Sequence, residues 1–224
     1  MAYSHSSLNT FETCPKQYEH IYIIKDVARG DTEATIWGKQ VHKAVEDYAI
    51  LGTPPTLEIC DYAVGIVEEC RKIGGDGRYG QIVEWQFGMD DNFVHVGFDS
   101  PDAYIRGVID FGCYAGDKAI LIDWKTSKNI KPDFDQMSVF VLAMFQCEPG
   151  VERIKAAYAW LKHKQMTQRV YDRRGLDELK ESVRERVERV DAMVQADNFP
   201  MKPSGLCRGW CAVKSCAAWK PMKE

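Results

Sequence analysis

Two carboxylates and a lysine in one short stretch, IDFGCYAGDKAILIDWK at residues 109–125, are of the types and spacing that could do chemistry. The stretch alternates around Gly116-Asp117, a dipeptide suited to a two-residue hairpin turn. That turn sets a register pairing Tyr114 with Ala119, Gly112 with Leu121, and Asp110 with Asp123. Two acids then face each other across the strands. Like charges so placed destabilise a sheet, and at about 5 Å with an effective dielectric near 20 the repulsion is roughly 3 kcal/mol. Period two gives Ile109, Phe111, Cys113, Ile120, Ile122 and Trp124 a shared core face, with Asp110, Asp123 and Lys125 on the other. Two hard oxygen donors and an ammonium at the end of apolar strands suit a divalent cation, which removes the repulsion. The plainer reading is a solvated edge, or a bulge that offsets the acids.

Thiols are the second chemical resource. Cys207, Cys211 and Cys216 form a Cys-x3-Cys-x4-Cys run, and thiolates so clustered hold zinc or an iron–sulfur cluster. The run lacks a fourth ligand, for which Cys14, just before Pro15, is the best candidate. Such a staple closes most of the chain and removes several kcal/mol of unfolded-state entropy, roughly as a long-loop disulfide does. Cys60, Cys70, Cys113 and Cys147 fall in expected helices or on the core face of a strand, and read as small buried hydrophobes.

The elements that must position these groups fit a chain of 224 residues, 45% hydrophobic and 28% charged, which is enough for one α/β domain with an ordinary core. Its net charge of −4 argues against a general nucleic-acid coat protein, though not against an enzyme that meets nucleic acid in one groove. No signal peptide or membrane-spanning segment is evident, so the protein is read as soluble and cytoplasmic, where thiols outlast disulfides. A helical segment over residues 6–20, capped by Ser6 or Ser7, is broken in two by Pro15. Helices are expected over Thr35–Leu51, with Trp37, Val41, Ala44, Val45 and Tyr48 on one stripe, and over Leu57–Ile73, ending in a turn at Gly74-Gly75-Asp76-Gly77. Strands follow over Gln81–Gly88, Phe93–Phe98 and the hairpin. A helix over Asp133–Gln146, strands over Val151–Lys162 and Arg169–Tyr171, and a charged helix over Leu176–Ala196 complete the order, with an irregular Cys-rich stretch from Phe199.

The stretch GVIDFGCYAGDKAILIDWKTSK resembles the catalytic core of the PD-(D/E)xK nuclease superfamily, in its RecB-like branch: a Gly-x-Ile-Asp strand, a tight turn, then Asp-x-Lys-Thr. WGKQVHKAVED is similar to that branch's Gly-x-x-x-His helix, which makes His42 the counterpart of a histidine metal ligand. DQMSVFVLAM is similar to its Gln-x-x-x-Tyr helix, with Gln136 matched and Phe140 where tyrosine is usual. SSLNTFETCPKQYEH resembles the N-terminal segment of members carrying an iron–sulfur cluster, such as CRISPR-associated RecB-like exonucleases and the AddB helicase–nuclease subunit. These place one early and three late cysteines on a 4Fe-4S cluster, with Cys-x2-Cys where this chain has Cys-x3-Cys.

The resemblance implies a restriction-endonuclease-like α/β fold: a central mixed sheet flanked by helices, with N- and C-terminal segments joined by the cysteine-bound cluster. It implies a single nuclease domain, with 20–198 as catalytic core and 1–19 plus 199–224 as the cluster-binding subregion. Mg²⁺ or Mn²⁺ would be held by His42, Asp110, Asp123 and the Trp124 carbonyl, and the cysteines Cys14, Cys207, Cys211 and Cys216 would hold 4Fe-4S, with zinc the alternative. Lys125 would orient water or stabilise developing charge, Gln136 would place the strand or the water, and Glu84 is an additional acid. Lys128 and Lys131, with Lys162, Lys164, Arg173 and Arg174, are candidates for phosphate contacts. The implied activity is a 5′ to 3′ exonuclease on single-stranded DNA or DNA ends. A structure-specific endonuclease and a non-catalytic cluster-containing nucleic-acid-binding factor are the alternatives. The resemblance extends to phage-encoded members acting in a host cytoplasm, and to protein partners in recombination, replication or CRISPR adaptation.

Overall fold

Pro15 divides the first helical segment as its ring and missing N–H require. α1 (His5–Thr13) stops at Cys14, α2 (Pro15–Tyr18) restarts with the proline in its first turn, and a π-helical turn covers Glu19–Ile24. The cap is Ser4, not Ser6 or Ser7: its hydroxyl accepts the Ser7 N–H while the Ser7 hydroxyl accepts the Ser4 N–H, a reciprocal box that satisfies both. α3 (Glu33–Leu51) is capped by Thr32 and ends where Gly52 takes φ +72. α4 (Asp61–Ile73) follows a 3-10 turn at Glu58–Cys60. The computed structural model describes residues 2–28, 30–73 and 79–221, so the turn expected at 74–77 lies outside the described residues.

Six strands, β1 (Tyr79–Met89), β2 (His95–Val96), β3 (Ile105–Ala115), β4 (Lys118–Lys125), β5 (Arg153–Trp160) and β6 (Gln165–Asp172), form one sheet in the order β2-β1-β3-β4-β5-β6. Neighbours are antiparallel except β4 and β5, which run parallel and are joined through α5 (Phe134–Cys147). This is the mixed, helix-flanked sheet expected. Two strands differ from expectation. Phe93–Phe98 shrinks to two residues, since Phe93 takes φ +60 and its N–H closes a turn on the Asp90 carbonyl. β6 is longer, paired to β5 from Trp160↔Gln165 to Arg153↔Asp172.

Gly116, at φ +59, opens the hairpin turn, and the register pairs Tyr114 with Ala119 and Gly112 with Leu121 as the sequence predicts. On one side of the sheet Val41 and Val45 of α3, with Ala63 and Val67 of α4, bury Phe111, Cys113, Ile122 and Trp124. Full burial of side chains of this kind contributes about 1.5–3 kcal/mol each. The opposite side is not a solvent face, because α5 packs there with Met137, Val141 and Met144 buried, and Leu121 and Asp123 are buried too. The hairpin thus has two core faces where its alternation suggests one. Cys60, Cys70 and Cys113 are buried as expected, and Cys147 is half-buried.

These strands with α3, α4 and α5 belong to one unit, Thr32–Glu181 with Met1–Ala2; a second comprises Tyr3–Asp31 and Ser182–Glu224. In the second, Tyr18 is fully buried among the rings of Phe11, Tyr22 and Phe199. Arg186 of α6 (Leu176–Gln195) makes paired bonds of 2.7 and 3.0 Å to the Glu12 carboxylate, a geometry that fixes orientation as well as distance. No described helix is long and apolar enough to cross a membrane.

Candidate active site

The β3–β4 ladder stops at Phe111↔Ile122, one step short of the two acids. There Asp110 turns Oδ2 to accept the Trp124 N–H at 2.8 Å. The expected Asp110–Asp123 pair is therefore not part of the ladder: a carboxylate has taken a ladder donor, which an acid can do more strongly than a carbonyl. Asp123 instead continues beside β5, in register with Tyr158.

Across β1 from Asp110 lies Glu84, skipped in the pairing between Val83↔Phe111 and Trp85↔Ile109. Its φ is +46, a left-handed conformation that costs a residue with a Cβ about 1–2 kcal/mol. Strain of this kind is held at sites where the surroundings over-determine it. The result is that His42, Glu84 and Asp110 offer ligand atoms all within 4.8 Å of one another. Glu84 is thus in the group itself.

His42 reaches the group from α3. Its Nε2 donates to the Trp124 carbonyl at 2.9 Å, which assigns the proton to that nitrogen and leaves the Nδ1 lone pair 3.5 Å from Asp110 Oδ2. Burial lowers the His42 pKa, against an opposing pull from Asp123, and favours the neutral ring that metal ligation requires. Burial, then the Asp123 charge, holds the Asp110 carboxyl well above the usual carboxylate range. Glu84 is raised by burial and by Glu46 and Asp123. These acids crowd one place, so a cation there is favoured.

Asp123 is 4% exposed. Its Oδ1 accepts from Gln136 Nε2 at 2.9 Å. Its Oδ2 lies 2.6 Å from Lys125 Nζ, but not in hydrogen-bonding alignment, and this buried oxygen has no hydrogen-bond donor. A buried carboxylate oxygen left so is costly. Hard oxygens, a neutral imidazole and an unsatisfied buried carboxylate together fit a divalent cation. A cleft lined by Gly38, Lys39, His42, Lys43, Glu46 and Glu84 leads to the group.

Gln136 projects from the first turn of α5, where Asp133 is the N-cap. Its Oε1 accepts from Lys125 Nζ at 3.3 Å and from the Tyr158 hydroxyl at 3.1 Å. Sequence reasoning missed Tyr158; the signal was Phe140, which left the usual hydroxyl of this helix unaccounted for. Phe140 is a core residue, packed edge-on against Phe87. Lys128 and Lys131 are exposed on the loop after β4, and Lys162 and Lys164 are exposed after β5. Arg173 is taken out of the phosphate-contact set: its guanidinium donates to the carbonyls of Val151, Phe145 and Glu148 and lies on the Phe145 ring. Arg174 remains exposed, 3.6 Å from Asp172.

Residues 2–216 match the model of the PD-(D/E)XK nuclease superfamily. The chain belongs to this superfamily. PD-(D/E)XK nucleases use divalent metals, and His42, Glu84 and Asp110 form a candidate site for one. A crystal structure from Eubacterium rectale described as a "Putative exonuclease" is similar at TM-score 0.49 and 15% identity, over 99% of this chain and 91% of that one. The structure of SSO0001 is similar at TM-score 0.41 and 13% identity, over 97% and 86%. No curated protein matches the sequence.

In the second unit of this PD-(D/E)XK nuclease, Cys14, Cys207, Cys211 and Cys216 are free thiols lining one cavity with Met201 and Leu206. The backbone N–H groups of Lys202 and Ser204 point at the sulfurs of Cys14 and Cys207, each at 3.5 Å.

Proposed function

We propose that this nuclease hydrolyses phosphodiesters in DNA with Mg²⁺ or Mn²⁺, as a 5′ to 3′ exonuclease on single strands or free ends. The observation that carries it is the buried Asp123 carboxylate, 2.6 Å from Lys125 and beside the His42–Glu84–Asp110 group. While the Trp124 carbonyl, expected as a further ligand, is taken up by the His42 Nε2–H and orients the ring, His42 through Nδ1, with Glu84, Asp110 and Asp123, would hold the cation. Bound there, it lowers the pKa of a water and offsets charge developing on the phosphoryl oxygens. The imidazole donor inclines the site toward Mn²⁺.

The remaining work falls to the chain's own groups. Lys125, 2.6 Å from Asp123 Oδ2, offers its ammonium to developing negative charge. Gln136 fixes Asp123, and the Trp124 backbone fixes both Asp110 and His42. Lys128, Lys131, Lys162 and Lys164 would contact phosphates. The test is purified protein on single-stranded DNA labelled at either end, with and without Mn²⁺. The expected result is stepwise release from the 5′ end, lost in Asp123→Asn by about 10³-fold, since several kcal/mol of charge stabilisation goes with the site. No cleavage by wild type, with Asp123→Asn binding DNA equally well, would sink the proposal in favour of a binding factor.

We also propose that Cys14, Cys207, Cys211 and Cys216 hold a 4Fe-4S cluster, with 1–19 and 199–224 as its subregion beside a 20–198 core, in a cytoplasmic enzyme with a recombination, replication or CRISPR-adaptation partner. Four thiolates lining one cavity could also hold zinc, which is the alternative. Protein purified without air should be brown and contain iron; colourless protein carrying zinc would overturn the cluster.

A further inference from the structure

Resting on the nuclease reading, we infer that Tyr158 is a positioning residue of this centre, whose hydroxyl holds the Gln136 amide in the one orientation that serves both Asp123 and Lys125. Tyr158 stands directly beside Asp123 in the parallel β4–β5 register, with its ring fully buried. Its hydroxyl has one proton and two acceptors within reach, the Asp133 carbonyl and Gln136 Oε1. Both belong to the start of α5, where the Asp133 carbonyl also accepts the Gln136 N–H at 3.2 Å. One hydroxyl therefore ties β5 to the turn that presents Gln136.

The charged neighbours set which way the amide faces, and the hydroxyl reinforces it. Lys125 Nζ has only donors, so the amide atom it reaches is the oxygen, and the Tyr158 hydroxyl meets that same oxygen at 3.1 Å, its one proton shared with the nearer Asp133 carbonyl. The amide N–H is then left for Asp123 Oδ1. The reverse orientation would set an NH₂ against an ammonium and a carbonyl against a carboxylate. The ring meanwhile lies 5.1 Å from Lys125 Nζ, a cation–π contact. Phenylalanine at 158 would keep that contact and the packing, and would lose only the hydroxyl.

The test compares wild type, Tyr158→Phe, Gln136→Ala and the double variant, by single-stranded DNA cleavage with Mn²⁺ and by the Gln136 side-chain amide resonances in ¹⁵N NMR. Tyr158→Phe should lower kcat about tenfold, equivalent to roughly 1.4 kcal/mol, leave KM unchanged and move the amide resonances. It should add nothing to Gln136→Ala, the mark of two groups acting as one. Equal losses in both backgrounds, unchanged kcat or unmoved resonances overturn the proposal. Inactive wild-type protein removes the nuclease reading instead, while the resonances still decide whether Tyr158 orients Gln136.

Discussion

Asp110 is buried near Asp123 and Glu84 and accepts the Trp124 N–H. Burial and the neighbouring acids raise its folded pKa above the ordinary 3.8. Its contribution to stability is therefore complete below that ordinary value and is lost as pH rises through the raised one, because the unfolded chain gives up the proton first. In chelator, Asp110→Asn should melt above wild type by a margin that widens with pH across this window, since asparagine still accepts the Trp124 N–H but carries no charge. Adding Mn²⁺ should reverse the ranking. A margin that thermal melts show to be independent of pH would contradict the account.

At the scale of elements, β1 holds a conformation its sequence does not prefer. Glu84→Gly and Glu84→Gln both remove the charge, but only glycine adopts φ +46 without a Cβ penalty. In chelator, Glu84→Gly should be more stable than Glu84→Gln by about 1 kcal/mol, by denaturant melts, while both bind Mn²⁺ more weakly than wild type by titration. Such strain explains where the sequence was legible and where it was not. The hairpin register at Tyr114↔Ala119 and Gly112↔Leu121, the Pro15 break and the helix expected over Asp133–Gln146 follow from local rules and are present, whereas the Asp110–Asp123 pairing is not. Glu84 was legible as a possible additional acid, but its left-handed conformation was not, because backbone strain leaves no mark in residue type. Tyr158, inside the apolar run RIKAAYAW, looked like a core aromatic because its hydroxyl partners arrive from another element. β6, QMTQRVYD, is a polar edge strand with little alternation, and its length is set by pairing with β5.

For the whole molecule, a group held by Cys14 together with Cys207, Cys211 and Cys216 would close a loop of about 190 residues. By analogy with a long-loop disulfide this contributes about 3–5 kcal/mol, or a Tm difference of roughly 10 °C in a chain of this size. Cys14→Ser should lower Tm by that amount in metal-loaded protein and change little in protein stripped of metal, by calorimetry; a loss of equal size in stripped protein would assign Cys14 to packing alone. The crossover between β4 and β5 has its own outcome for synthesis. The acids lie on β3 and β4, but the Asp123 carboxylate is held by Gln136 of α5, and Tyr158, whose hydroxyl meets Gln136, comes later still on β5. A chain cut short before β5 therefore carries every acid of the centre and none of the sheet edge against which Asp123 is registered, so the centre is complete only in the finished sheet.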